Sequence, residues 1–349
     1  MRLLRSIWPV FLFVLVLTPI QAQDSPFKLS VDVPNMSLEA VVKDANGRPA
    51  IHLSQSDFEI YEDGRRQEIR YFGSSETSRS ILLAFDVTGV MESQAPFMVQ
   101  GLNVFLGNLR AHDRVAIGTI GPDFEMLLNF RKLAEGKPID IKMPRARMGS
   151  NLYESLDMAA RRFNKEEGRK AIVAMTDGRE TRGFTEAQRL GEPQPLQQDD
   201  HFKAYLKSAA KRGIPYYFIA LNTEPRYIPQ YDYEFAYFKS GEYLKSPLYG
   251  NGRRSPTIAE DYLASVRLRM ELLAEATGGR VVYAQSLKDV VVLFDQLSRE
   301  LGYSYSLGYT PTAPLSDGKF HRVEVRARGG FAVTQSRDGY GGPEPGRKN

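Results

Sequence analysis

Apolar residues follow two different spacings along this chain, and the changes of spacing divide it into three parts. Residues 27–73 alternate apolar and polar positions, as in Leu29, Val31 and Val33, and carry turn sequences such as residues 44–47. Alternation with a period of two is typical of strands that bury one face. The first part is therefore predicted to be a small antiparallel β unit.

In residues 80–302 the apolar residues form short unbroken runs, separated by stretches with helical spacing. Such runs indicate strands buried on both faces of a parallel sheet. A capping-box sequence at residues 286–289 is expected to start the last helix. This part is predicted to be a doubly wound α/β domain, with an edge hairpin strand at residues 125–130 that makes the sheet mixed. The predicted parallel strands are residues 81–85, 115–120, 171–176, 216–220 and 281–283.

The alternating β pattern returns in residues 303–340, where turn sequences separate three short runs. Each β flank is small, and isolated units of two or three strands are only marginally stable. Pairing of the two flanks would cover their edge strands and complete one core. The predicted fold is an α/β domain inserted into a small antiparallel β-sandwich. Two separate β appendages are the alternative.

The two ends of the chain have compositions of their own. Residues 1–22 have the features of a secretory signal peptide, with Arg2 and Arg5 ahead of an apolar run shorter than the ~20 residues that span a bilayer. We therefore expect export to the periplasm or the extracellular space, with no integral membrane span after cleavage. An uncleaved anchor is the alternative, because Ile20 replaces the usual small residue of the cleavage site. Residues 341–349 are expected to be a disordered tail.

Composition and charge exclude several classes of function. The 349 residues include 46 Lys+Arg and 42 Asp+Glu, a formal charge of +4 that is too weak and dispersed to indicate nucleic-acid binding. The absence of cysteine excludes disulfides, thiol catalysis and cysteine-ligated zinc. The sequence has neither a Gly-x-Ser-x-Gly elbow nor a phosphate-binding glycine loop. The chain is therefore expected not to be an enzyme.

Polar residues converge on the edge of the sheet where the parallel strands end, which is where doubly wound sheets bind ligands. Asp86 and Thr88 follow the first of these strands, Ser150 precedes a predicted helix, and Asp177 follows the strand at residues 171–176. Carboxylate and hydroxyl oxygens are hard ligands of the kind that Mg²⁺ or Mn²⁺ prefers. The alternative is structural, with the carboxylates capping their loops and the hydroxyls capping helix N-termini.

Three segments around these residues resemble the metal-ion-dependent adhesion site of the von Willebrand factor A domain. They are Asp86-Val87-Thr88-Gly89-Val90, Gly149-Ser150-Asn151 and Thr176-Asp177-Gly178. That family's first loop is Asp-x-Ser-x-Ser, its second supplies a Thr, and its third supplies an Asp followed by Gly. The resemblance covers residues 80–302. The flanks, through segments such as residues 57–64, resemble the secreted bacterial proteins called VWFA-related (acidobacterial type).

The resemblance implies that Asp86, Thr88, Ser150 and Asp177 take the metal-site positions and hold Mg²⁺ or Mn²⁺. Val90 stands where the family has a second Ser, so one direct oxygen ligand is missing and weaker binding is expected. The role expected of such a metal is coordination rather than catalysis. A protein or glycan partner would complete its shell with an acidic group.

A tyrosine-rich stretch at residues 222–257 follows the strand at residues 216–220. Tyrosine gives a large contact area with a polar tip, so one interpretation is a partner-binding loop; the other is aromatic packing over the sheet. The predicted function is an exported recognition, adhesion or assembly module. The alternatives are a metal-free structural scaffold and, less favoured, a hydrolase that uses the carboxylates. The predicted partner-binding residues are Tyr227, Tyr231, Tyr233 and Tyr237.

Overall fold

The computed structural model describes the chain in ten segments, and the predicted signal peptide, the alternating residues 29–33 and the predicted tail after residue 341 lie outside them. Gly341 itself, assigned to the tail from the sequence, ends a strand. The described segments are residues 36–74, 76–88, 91, 94–132, 141–145, 147, 149–180, 195–221, 256–313 and 319–341.

The strands and α-helices are numbered in chain order. The strands are β1 (Met36–Lys43), β2 (Phe58–Glu62), β3 (Arg65–Gln67), β4 (Tyr71–Gly73), β5 (Arg79–Asp86), β6 (Arg114–Ile120), β7 (Glu125–Lys132), β8 (Arg169–Thr176), β9 (Tyr216–Ala220), β10 (Arg280–Tyr283), β11 (Ser304–Tyr309), β12 (Phe320–Ala327), β13 (Ala332–Gln335) and β14 (Gly339–Gly341). The helices are α1 (Ala95–Gly107), α2 (Leu152–Arg161), α3 (Asp200–Arg212), α4 (Pro256–Thr277) and α5 (Leu287–Tyr303).

A six-stranded sheet with the order β10-β9-β8-β5-β6-β7 forms the centre of the molecule. Its strands are parallel except β7, which pairs antiparallel with β6 at the edge. Side chains of β5 point alternately to the two faces: Leu82 and Ala84 pack in a cluster with α2, α3 and α4, and Ile81, Leu83 and Phe85 pack in a cluster with α1 and α5. This topology is the doubly wound, von Willebrand factor A-like fold expected from the sequence.

Helix α4 was not among the elements predicted from the sequence. Its buried residues Leu263, Val266, Met270 and Leu273 have helical spacing, and the last three pack in one cluster with residues of the sheet. Leu268, however, is 43% exposed, so apolar residues are not confined to one side of the helix and the pattern is less distinct. The predicted start of α5 is confirmed by a capping box at its N-terminus.

The two β flanks form one sandwich of two four-stranded sheets, β13-β1-β11-β4 and β14-β12-β2-β3. Strand β1 pairs antiparallel with β11, and β2 pairs antiparallel with β12, so each sheet contains strands from both flanks. One cluster of buried apolar side chains, including Phe58 and Tyr305, joins the two sheets. The flanks are therefore not separate appendages, and the α/β domain is inserted between them.

The sandwich contacts the central sheet where the parallel strands begin. Arg169, the first residue of β8, donates from Nη2 to Glu39 Oε2 at 2.7 Å and from Nε to Ser306 Oγ at 2.7 Å, and it also bonds Ser304. We call this buried group of Glu39, Arg169, Ser304 and Ser306 the seam. The opposite edge of the sheet, where the parallel strands end, faces away from the sandwich and is called the rim. Within the described residues, no helix is both long and apolar enough to cross a membrane.

Candidate cation site at the rim

Two neighbouring strands bring the predicted carboxylates together. Strand β5 ends at Asp86, and β8 ends at Thr176 directly before Asp177; the two strands pair in register up to Phe85 and Met175. Burial excludes almost all solvent from the predicted site residues. The exposed fractions are 0% for Asp86, 8% for Thr88, 2% for Ser150 and 2% for Asp177.

Hydrogen bonds fix both oxygens of the Asp86 carboxylate. Oδ1 accepts from Thr88 N at 3.0 Å and from Thr88 Oγ1 at 2.6 Å, and Oδ2 accepts from Thr176 Oγ1 at 2.6 Å. Thr176 Oγ1 in turn accepts from Gly178 N at 2.9 Å. Thr176 was not among the site residues predicted from the sequence. Its hydroxyl, at the last strand position directly before Asp177, was the signal that could have identified it. The Asp86 carboxylate is therefore held in one orientation.

The electrostatics of the rim are unfavourable for two free carboxylates. Burial, followed by the neighbouring charge of Asp177, raises the pKa of Asp86 to about 7, while the hydrogen bonds from Thr176 and Thr88 act in the opposite direction. A carboxyl group in this position is stabilised by a proton or by a cation. A perturbed pKa that arises from burial and a specific charged neighbour is typical of functional sites.

Asp177 opens a tight turn at the end of β8. Its Oδ1 accepts from Arg179 N at 3.0 Å, and Gly178 between them has a φ of +78°, which favours glycine. The guanidinium Nε of Arg179 lies 3.7 Å from Asp177 Oδ2. Asp86 and Asp177 therefore cap their loops, as the structural alternative from the sequence proposed. The two carboxylates are also neighbours, so loop capping does not exclude a role in binding.

Ser150 lies in the segment that leads into α2, and backbone contacts tie this segment to the rest of the rim. Asn151 N donates to Gly121 O at 2.9 Å, and Tyr153 N donates to Glu180 Oε2 at 3.0 Å. Glu180 thus places a carboxylate at the positive end of α2. Sequence reasoning missed Glu180 because only the tertiary fold brings residue 180 to residue 153.

The donor chemistry of these residues fits a divalent cation that prefers oxygen. Among the described residues no group of three or more His, Cys, Asp or Glu side chains could hold a metal, so the two carboxylates would depend on the hydroxyls of Thr88 and Ser150, and on water, for further ligands. A cation beside Asp86 and Asp177 would also offset the repulsion between them. Val90 and the four tyrosines predicted to contact a partner lie outside the described residues.

Comparison with solved structures finds proteins of similar fold. A von Willebrand factor type A protein from Catenulispora acidiphila is 11% identical over 92% of this chain and 74% of its own, with a TM-score of 0.43. An aerotolerance-related membrane protein from Bacteroides fragilis is 16% identical over 64% of this chain and 98% of its own, with a TM-score of 0.39. The pilus adhesin SpaC from Lactobacillus rhamnosus GG is 11% identical over 75% of this chain and 37% of its own, with a TM-score of 0.44.

These identities and scores are low, and they identify neither a partner nor an activity for this chain. No protein-family profile matches the sequence, and a search of curated proteins finds no match. The functional interpretation therefore depends on the geometry of the rim.

Proposed function

We propose that this chain is an exported, non-enzymatic recognition or assembly module that binds a partner protein at the rim. Asp86, Thr88, Ser150 and Asp177 would hold one divalent cation, Mg²⁺ or Mn²⁺. When bound, the cation would supply a positive charge and a coordination position for an acidic group of the partner. The observation that carries the proposal is the pair of buried carboxylates, in which burial and the charge of Asp177 raise the pKa of Asp86.

The position of the rim in the fold supports a binding role. The sandwich contacts the strands at their amino ends, through Arg169 and Glu39, and so leaves the opposite edge uncovered by the sandwich. The tyrosine-rich residues 222–257 begin two residues after β9 ends at Ala220, which is also at the rim. The proposed cation site therefore lies at the same edge of the sheet from which the chain enters the tyrosine-rich stretch.

Thermal unfolding with and without cation tests the proposal. The purified chain, Asp177→Ala and the control Asp200→Ala are compared in chelator and in millimolar Mg²⁺ or Mn²⁺. Asp200 is a suitable control because its side chain is 91% exposed on α3. A ligand at 100 times its Kd stabilises the folded state by about 2.7 kcal/mol. We expect a cation-dependent rise in Tm for the unchanged chain and the control, and none for Asp177→Ala. Equal Tm values with and without cation would contradict the proposal.

A metal-free binding surface is a second candidate, favoured by one contact. The Arg179 guanidinium already places a positive charge 3.7 Å from Asp177 Oδ2. Partner binding that persists unchanged in chelator would support this candidate over the cation-dependent one.

A further inference from the structure

We propose that Arg337 binds a small monovalent anion where the sandwich meets the α/β domain, with the Tyr217 hydroxyl as a second donor. We call Arg337 and Tyr217 the junction site. This site lies at the edge of the sheet where the parallel strands begin, opposite the rim, and it does not involve the cation proposed there.

The side chain of Arg337 is buried between the two units of the molecule. Arg337 lies between β13 and β14 of the sandwich and is 7% exposed. Its Nη1 donates to the sulfur of Met36, the first residue of β1, at 2.8 Å. A Cβ added to Gly278, directly after α4, would lie 3.3 Å from Nη2. The guanidinium therefore lies between the start of β1 and the end of α4.

One edge of this guanidinium has no acceptor. Nε and Nη2 of an arginine point to the same side and together can donate to one carboxylate. In Arg337 both atoms are buried, and neither has a hydrogen-bond partner among the described residues. The thioether that Nη1 contacts is only a weak acceptor. Because a buried charge with unmade hydrogen bonds is costly, this edge calls for an acceptor.

The other buried arginines among the described residues, Arg79, Arg169 and Arg269, all use the same edge. Arg79 donates from Nε and Nη2 to the two carboxylate oxygens of Asp113. Arg269 donates from both atoms to one carboxylate oxygen, and Arg169 donates from them to a hydroxyl and a carboxylate. In these three cases the chain itself supplies the acceptor. For Arg337 we expect a ligand to supply it.

Tyr217, the second residue of β9, provides a further donor without an acceptor. The residue is 1% exposed, and its Oη has no hydrogen-bond partner among the described residues. Tyr217 is close enough to Arg337 to act on its charge. Burial raises the pKa of Tyr217 well above its ordinary value, so the phenol stays a neutral O–H donor. A guanidinium edge and a phenol O–H both donate, so the ligand that fits them is an anion.

The neighbouring charges favour a ligand with a single negative charge. Burial lowers the pKa of Arg337 to about 10, so the guanidinium keeps its charge at neutral pH. The carboxylate of Glu275 also acts on Arg337, and so does Tyr309, which lies beside the buried carboxylate of Glu62. One monovalent anion balances the guanidinium, whereas both carboxylates would repel a multivalent anion. Burial of the donors favours ligands as small as chloride, bromide or formate.

Thermal unfolding at constant ionic strength tests the junction site. The purified chain is kept in chelator, so that the cation proposed for the rim has no influence, and sodium gluconate is replaced in steps by sodium chloride, bromide or formate. Gluconate is the reference because it is too large for a buried site. We expect a saturable rise in Tm with the small anions, because a ligand of the folded state stabilises it. No saturable rise with any of the three anions would overturn the proposal.

Removal of a single hydroxyl separates a ligand site from a purely structural role. Tyr217→Phe should be as stable as the unchanged chain or more stable in gluconate, because it removes a buried hydroxyl without a partner. Its apparent affinity for the small anions should fall several-fold. Tyr216→Phe is the matched control, since Tyr216 is the neighbouring buried tyrosine and its Oη lies 3.1 Å from Tyr205 Oη. It should keep the anion affinity of the unchanged chain. Equal anion affinity in all three chains would overturn the role of Tyr217.

Anomalous diffraction from crystals of the unchanged chain soaked in bromide locates the ligand without a variant at Arg337. We expect a bromide peak within hydrogen-bond distance of Arg337 Nε and Nη2, on the side that faces Tyr217 Oη. Arg337→Met, where it folds, should lose the anion-dependent rise in Tm. A rise that persists in this variant, or a crystal with well-ordered water and no bromide at these donors, would overturn the proposal. Either result would leave the proposed function of the rim unaffected.

Discussion

At the amino ends of the central strands, Arg169 and Glu39 form a buried ion pair at 2.7 Å, and Ser304 and Ser306 donate to the Glu39 carboxylate. At the carboxyl ends of the same strands, Asp86 and Asp177 place two buried carboxylates next to each other. The seam therefore balances its buried charge with close hydrogen bonds, whereas the rim sets two buried carboxylates beside one arginine, whose Nε lies 3.7 Å from Asp177 Oδ2. One sheet carries both arrangements.

The difference indicates what each edge is for. Buried charges in a purely structural contact are paired, because an unpaired charge is costly to bury. The repulsion at the rim has no such structural benefit, and local arrangements that disfavour the folded state are typical of functional sites. The seam fixes the α/β domain to the sandwich, and the arrangement at the rim is the basis of the proposal that it binds a cation.

The largest expected effect comes from breaking the seam. Arg169→Met would leave Glu39 buried without its counter-charge, and removal of one partner from a buried pair costs about 3–5 kcal/mol of unfolding free energy. Denaturant unfolding measures this loss. The double variant Arg169→Met, Glu39→Gln should recover part of it. A loss below about 1 kcal/mol in the single variant would show that the pair does not stabilise the seam.

The backbone between α4 and β10, where it approaches the first residue of β9, should also tolerate no added side chain. A Cβ at Gly279 would lie 1.9 Å from Tyr216 O, whereas a Cβ at Gly107, at the end of α1, would have no atom within 4 Å. We expect Gly279→Ala to lower the unfolding free energy by about 1–3 kcal/mol or more, as overpacking does. Gly107→Ala serves as the control and should be neutral or slightly stabilising. Equal stability of both variants would contradict the close approach of Gly279 to the first residue of β9.

The rim should show the opposite response to loss of charge. The folded-state pKa of Asp86 is about 7, above its ordinary value of 3.8, so the native chain holds this proton more tightly than the unfolded chain. The stabilising contribution of this carboxyl is complete below pH 4 and is lost as the pH rises through 7. In chelator at pH 8, Asp86→Asn should therefore be more stable than the unchanged chain, by about 1–3 kcal/mol.

Unfolding at pH 4 and pH 8 measures this difference. Because groups distant from the rim titrate equally in both chains, the quantity to compare is the stability gap between Asp86→Asn and the unchanged chain. That gap should grow as the pH rises from 4 to 8. A constant gap, or a variant that is less stable at pH 8, would show that burial and the charge of Asp177 do not raise the pKa of Asp86 in the folded chain.

The smallest effect is expected at a solvated ion pair that belongs to neither edge. Arg299 and Asp295 are four residues apart on α5, and their nitrogen–oxygen distance is 2.9 Å, but the Arg299 side chain is 61% exposed. Such helix pairs contribute about 0.3–0.5 kcal/mol. Arg299→Gln should therefore change the unfolding free energy by no more than this amount. If Arg299→Gln lowered the unfolding free energy as much as Arg169→Met does, buried and solvated ion pairs would not differ in their contribution to stability.

The sequence predicted the parts of this fold that depend on local periodicity. The run at residues 216–220 matches β9 at both ends, and the predicted edge strand at residues 125–130 falls within β7, which is antiparallel. The pairing of the flanks was also predicted, because short β units need a common core. Helix α4 was missed because exposed apolar residues such as Leu268 blur its pattern.

Contacts between distant residues were not accessible from the sequence. Glu39 and Arg169 are 130 positions apart, and no local pattern links them. At the rim, the proximity of Asp86 and Asp177 followed from strand order and could be predicted. The parts played by Thr176, Arg179 and Glu180 depend on side-chain directions that only the folded turn determines.

The most direct test of the central claim is anomalous diffraction from a crystal of the chain soaked in Mn²⁺ at pH 7.5. The proposed cation site predicts an anomalous peak within direct or water-mediated ligand distance of Asp86, Thr88, Ser150 and Asp177, and no such peak in crystals of Asp177→Ala. A soaked crystal with the same four side chains well ordered and no anomalous density at the rim would contradict it.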